Sequence, residues 1–229
     1  MISAFETGRS IWWLIHKDLI REVRARATWP AMLLLGLLLV CILAMHIDLP
    51  KEQKEHVIGG LLWLAIVFAG TLALEWSFAN EREDGCWETL TLYPVAPSTL
   101  FLAKMLINVT SLVILELVLI PLFVVLTDVP LLARPGAIAL IAGLGNIGFA
   151  AIGTLVSAIT ADLRNRGGLL ALLFLPLVMP VVLAAAAATG MMLTGEIDSQ
   201  WWLWIKFLAV CAVVFTVAGA LVFEFVMEE

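Results

Sequence analysis

Six apolar segments dominate this chain, each close to the ~20 residues that cross the ~30 Å hydrocarbon core of a bilayer. They run approximately over Ala31–Ile47, Val57–Leu74, Met105–Leu126, Ala137–Ile159, Leu169–Leu193 and Trp201–Phe223. Inside a bilayer no water satisfies backbone N–H and C=O groups, so continuous apolar runs of this length must be helices. The reading is an all-α polytopic membrane protein with six transmembrane helices. Composition agrees: 62% of the 229 residues are hydrophobic and 14% are charged, where a soluble domain has about half and about a quarter. The mean hydropathy is +1.05. One core cannot use so much apolar surface, and part of it must face lipid. An ordinary soluble enzyme and a disordered tail are excluded. The net charge of -6 offers no basic field for nucleic acid.

Chemistry-bearing motifs are scarce. Cys41, Cys86 and Cys211 are far apart, without a CxxC, so neither a disulfide framework nor a zinc site is expected. No GxxxxGK[ST] is present, so the chain has no P-loop of its own to bind ATP. No HExxH, and no paired Asp or Ser/His at membrane depth, supports an intramembrane hydrolase. The expectation is no catalytic residue and no metal.

Lys and Arg counts orient the chain. Arg9, Lys17, Arg21, Arg24, Arg26, Arg82, Lys104, Arg164 and Arg166 fall on one side, and Lys51, Lys54, Arg134 and Lys206 on the other. The positive-inside rule then places both termini in the cytoplasm. Residues 1–30 read as a cytoplasmic, interfacial segment and 31–229 as the transmembrane domain. Within the former, Ile11, Ile15, Leu19 and Val23 recur at i+4, with Lys17, Arg21 and Arg24 off that line. Trp12, Trp13 and Trp29 suit the headgroup level, so an amphipathic helix lying in the membrane interface is expected, rather than a plain charged anchor. The first apolar run starts only after thirty residues and has no small-x-small site behind it, unlike a signal peptide.

The stretch Glu75–Lys104 is the most informative. Segment two runs into an acidic cluster of Glu81, Glu83, Asp84 and Glu88, with Arg82 among them and Gly85 as an interruption. Trp87, Leu90 and Leu92 supply an apolar side, and Pro94 and Pro97 end any helix. A solvated loop has no need of these apolar residues. A short amphipathic helix parallel to the membrane does, and it can dock into a groove on a partner with its charges setting the register.

This arrangement resembles the membrane subunits of ABC-2-type transporters, in which an E-x-x-x-G-x-x-E-x-L-x-x-x-P pattern after the second transmembrane helix contacts the ATPase. The matching residues are Glu81, Gly85, Glu88, Leu90 and Pro94. A narrower resemblance, over about residues 12–190, is to the cytochrome c maturation protein B, or heme exporter protein B, family. It rests on LALE at Leu72–Glu75, DG-x-x-E-x-L from Asp84 to Leu90, LAK at Leu102–Lys104 and RGGLLALLFLPLVMP at Arg166–Pro180. Cys86 and Trp87 depart from that family's pattern on the contact surface. The resemblance implies a permease subunit with an ATPase-coupling element at Glu81–Pro97. It implies a homodimer bound to ABC ATPase subunits that hold the ATP, with further membrane subunits that present heme to a periplasmic heme chaperone. Heme is then cargo, and no cofactor is held firmly by this chain. ATP would drive either heme movement across the inner membrane or release of the loaded chaperone. The alternatives are an ABC-2-type exporter for lipid, drug or polysaccharide, and a non-transporting scaffold.

Several residues within the segments carry two readings. Glu116, in the middle of segment three, is either a site on a transport path or conformational lock, or a protonated carboxyl hydrogen-bonded to a polar neighbour such as Asn146. His46 and His56 flank the outer hairpin loop. Heme iron accepts His, but nothing else in the sequence completes a heme pocket, so they read as interfacial histidines. The WWxW at Trp201–Trp204 reads as an aromatic belt. Gly143, Gly145, Gly148 and Gly153, and the run Ala184–Ala188, are packing faces. Pro176 and Pro180 should bend segment five. Asp162, Arg164 and Arg166 form a second cytoplasmic loop that makes a lesser ATPase contact.

Overall fold

Every element among the described residues is helical. The computed structural model describes residues 28–46, 50–83, 96–160 and 166–228. In chain order the elements are α1 (Thr28–His46), α2 (Lys51–Glu83), α3 (Pro97–Thr127), a 3-10 turn (Leu131–Ala133), α4 (Pro135–Thr160), α5 (Arg166–Thr194) and α6 (Ser199–Glu228). Helices α2 to α6 are long and apolar enough to cross a membrane, and α1 is a shorter apolar helix over Trp29–Met45. The expected interfacial helix within residues 1–27, and the expected amphipathic helix where it falls in residues 84–95, lie outside the described residues.

The helices outrun the apolar segments read from sequence, and local chemistry says why. Pro97 was expected to end a helix, yet it opens α3 with Ala96 as its N-cap. A proline at the first helical position loses no intrahelical bond and is preset at the right φ. Lys104 therefore belongs to the second turn of α3 and is buried, not part of a loop. Pro30 similarly lies in the first turn of α1, and Pro135 opens α4. Helix α5 continues through both Pro176 and Pro180. It ends at Gly195, whose φ of +87° is the left-handed conformation of a C-terminal glycine, with Glu196 N–H bonded back to Met191 C=O at 2.9 Å. Three residues on, Asp198 Oδ1 accepts the N–H groups of Gln200 and Trp201 at 2.9 and 3.1 Å and caps α6.

Helix α2 packs chiefly against α5 and α1, and α4 against α6 and α5. Small residues set these approaches, as the sequence pattern suggested. A side chain at Gly145 would run into the Trp63 ring, one at Gly148 into Val181, and one at Gly153 into Leu74. Gly143 has open space instead. Ala184, Ala185 and Ala188 are fully buried. Trp63 is buried between α2, α4 and α5, and its Nε1–H donates to Thr189 Oγ1 at 3.1 Å. Thr189 in turn donates to Ala185 C=O at 2.7 Å. Replacing Thr189 by Val keeps the shape and orphans the indole N–H. It is expected to lower stability by about 0.6–1 kcal/mol, read as a shifted midpoint when the purified chain is unfolded by detergent titration.

The outside of the bundle is apolar too. Met45, Val125, Phe225 and Leu117 are 82%, 78%, 71% and 70% exposed. A helix apolar on both faces is stable only in a large core or in lipid. Water-exposed surface of this kind would be an aggregation liability, so the outward residues of α1, α3, α5 and α6 are read as the lipid-contacting surface.

Candidate functional site

Helix α2 is 33 residues long, about 50 Å at 1.5 Å per residue, whereas its apolar span is Gln53–Glu75. The remainder, from Glu75 to Glu83, extends ~12 Å past the apolar span as continuous helix. Glu81, Arg82 and Glu83 therefore ride on the end of α2 itself, in direct mechanical continuity with the core. Asp84, Gly85, Trp87, Glu88, Leu90 and Pro94 lie outside the described residues, as do Asp162 and Arg164. Arg166 is the first residue of α5.

The extension is fastened where it leaves the bundle. Leu74 is buried, its side chain lies against Gly153 of α4, and its carbonyl accepts a 2.6 Å hydrogen bond from Ser157 Oγ. One turn back on α4, Thr154 Oγ1 accepts from Asn108 Nδ2 of α3 at 2.9 Å. Trp29 Nε1 of α1 donates to Ser111 Oγ of α3 at 3.2 Å. Polar pegs thus join α2 to α4, α4 to α3 and α3 to α1 in the half of the bundle nearest the α2 extension. Sequence reading passed over Asn108, Thr154 and Ser157. The available signal was their placement inside otherwise apolar segments, where each polar group needs a partner.

Near the middle of α3 the Glu116 carboxyl is buried and accepts a 2.8 Å hydrogen bond from Asn146 Nδ2 of α4. Asn146, named in one of the two readings of Glu116 as an example of a polar neighbour, is thus its hydrogen-bond partner. His46 is the last residue of α1 and His56 sits early in α2, so their backbones belong to the two sides of one hairpin. Among the described residues no group of three or more His, Cys, Asp or Glu is placed to hold a metal. At the start of α6 the aromatic run divides. Trp202 is half exposed, as a belt residue would be. Trp201 is buried and its Nε1 donates to Ala188 C=O at 3.1 Å, so it is a packing residue between α5 and α6. The aromatic-belt reading missed this because burial there depends on how α5 turns back into α6.

These features define an all-helical membrane-spanning protein with a helical extension at one end and polar pegs between its helices. The family model described as CcmB protein matches residues 9–227, and the chain belongs to that family. It is 32% identical over 202 residues to Heme exporter protein B of Pseudomonas aeruginosa, covering 86% of this chain and 90% of that one. The same-named protein of Rhodobacter capsulatus is 29% identical over 175 residues (76% of this chain and 79% of that one). That of Paracoccus denitrificans is 28% identical over 179 residues, again 76% of this chain and 80% of the relative.

Proposed function

We propose that this chain is the membrane subunit of a heme-exporter ABC complex serving c-type cytochrome biogenesis. What carries the reading is the family match over residues 9–227, together with relatives named Heme exporter protein B along most of their length. ATP is hydrolysed by a partner ATPase, and this chain receives the resulting movement. The long helix α2 supports that role, because it carries Glu81, Arg82 and Glu83 on a continuous helical extension fastened to α4 at Leu74. A push on residues 81–97 would enter α2 and α3 directly and reach α4 through Ser157 and Thr154.

In this reading α1 completes a set of six spans in the bacterial inner membrane, with both termini cytoplasmic by the Lys and Arg count. The complex contains two copies of the chain, the ATPase, and heme-handling membrane subunits that serve a periplasmic heme chaperone. Heme is cargo, carried or released by the complex as a whole. Asp162, Arg164 and Arg166 make a second ATPase contact, and His46 and His56 are interfacial.

The test is a heme-peroxidase stain of denatured membranes from a strain lacking the gene, with and without complementation. The expected result is loss of all covalent heme bands, restored by the intact gene. Unchanged bands in a strain with no second copy would overturn the heme assignment and leave an ABC-2-type exporter subunit for another cargo.

A further inference from the structure

Asn146 of α4 and Glu116 of α3 are joined by a hydrogen bond in which Asn146 Nδ2 donates to Glu116 Oε2 at 2.8 Å. The residues are 5% and 0% exposed. The other oxygen of each group, Glu116 Oε1 and Asn146 Oδ1, is buried without a hydrogen-bond partner. An amide oxygen only accepts, and so does each oxygen of an ionised carboxylate. With Glu116 charged, three acceptor oxygens and a negative charge would share a site in the apolar bundle with one donor group, the Asn146 amide, and two of those oxygens would stay unpartnered. No compensating cation is at hand on these helices. Helix α4 contains no Lys or Arg, and Lys104 of α3 is twelve residues from Glu116, ~18 Å along the axis.

The two atoms lacking partners are the complementary halves of the two groups already bonded. We propose that Glu116 is a proton-binding site, held as a neutral carboxylic acid whose Oε1–H donates to Asn146 Oδ1. Carboxyl and carboxamide then close a two-bond ring, with Nδ2–H donating to Oε2 and Oε1–H to Oδ1, that ties α3 to α4 at membrane depth. Terminal carboxyl and amide torsions are broad, which leaves these planar groups free to turn toward the ring geometry. A bound metal ion is the poorer occupant. Hard cations take about six oxygen ligands, and no cluster of three or more ligating side chains occurs among the described residues. A bridging water would satisfy both orphan oxygens yet leave the charge buried and uncompensated. Both groups belong to this chain, so the ring is independent of the cargo.

The experiment is infrared spectroscopy of the full chain in lipid vesicles at neutral pH, unlabelled and with isotope-labelled glutamate. The expected result is a carboxylic-acid carbonyl band that shifts with the label and is lost in Glu116→Gln. Because Gln offers an N–H where the acid offers O–H, that variant should also keep the unfolding midpoint, whereas Glu116→Ala should lower it. The labelled intact chain keeps the test decisive even if Glu116→Gln fails to fold: no glutamate acid band means an ionised Glu116 and overturns the proposal. Asn146→Ala then probes the ring, since losing the acceptor should move the acid band to higher frequency. An unmoved band would overturn the ring.

Discussion

Replacing Glu88 by Lys is expected to abolish cytochrome c maturation, by at least about tenfold in covalent heme, while the chain reaches the membrane at its normal level. Glu88 belongs to the acidic and apolar stretch that follows α2, and its charge is read as facing the ATPase. Like charges juxtaposed across an interface cost several kcal/mol, and each 1.4 kcal/mol is a factor of about ten in an equilibrium. Membrane insertion depends on the apolar segments, and one charge change outside them is expected to leave it intact. The check is an immunoblot of membranes beside the heme stain, with ATPase co-purification and hydrolysis rate measured on the same preparation. If the variant binds the ATPase and matures cytochromes normally, residues 81–97 are not the coupling element. The same charge reversal at Glu81 and Glu88 with intact assembly and activity would favour a non-transporting scaffold. That outcome is separable from failure of the heme assignment, which the gene deletion reports by itself.

Adjacent glycines in α2 are expected to respond in opposite ways. A Cβ at Gly59 would stand 2.7 Å from Ala186 C=O and 3.0 Å from Gly190 N. Those are backbone atoms of α5, and they cannot rotate away. Gly59→Ala therefore has to push α2 and α5 apart, at a cost of about 1–3 kcal/mol. Gly59→Leu, with three more carbons in the same contact, is expected to yield little or no folded chain. At Gly60 nothing lies within 4 Å of the added carbon. Gly60→Ala should be neutral, or stabilising by up to ~1 kcal/mol through the lower backbone entropy of alanine in a helix. Detergent-titration midpoints of the three variants against the parent chain decide the matter. Equal midpoints for the two alanine variants would show that α2 and α5 are not in such close approach.

The pairing of Glu116 with Asn146 shows how far a membrane sequence can be read residue by residue. A carboxylate in the middle of an apolar segment must find a partner, and segment four offers few polar side chains at a comparable depth. Asn108, Thr154 and Ser157 obey the same logic, but several Ser and Thr hydroxyls in a helix can turn back onto their own backbone. Thr110, Thr127 and Thr160 do so, bonding the carbonyls four residues earlier. Sequence does not separate these self-satisfied hydroxyls from interhelical pegs, because the difference lies in which neighbour comes within reach. Trp201 and Trp202 make the same point, since adjacent residues of one type face the bundle and its exterior.

The amino-acid sequence by itself determined the helical class, the membrane setting, the approximate place of the five helices long enough to span, and the family. Each follows from runs of apolar residues long enough to exclude any alternative for the backbone, and from motifs carried in the chain's order. The tertiary structure decided which small residues form helix contacts and which remain open, as at Gly59 and Gly60 or Gly145 and Gly143. It also decided that α2 carries Glu81–Glu83 on an unbroken helix, that Pro97 begins α3, and that Leu74 is pinned by Ser157. Hydrophobicity is blind to rotation about a helix axis when both faces are apolar. Only packing against particular neighbours breaks that degeneracy.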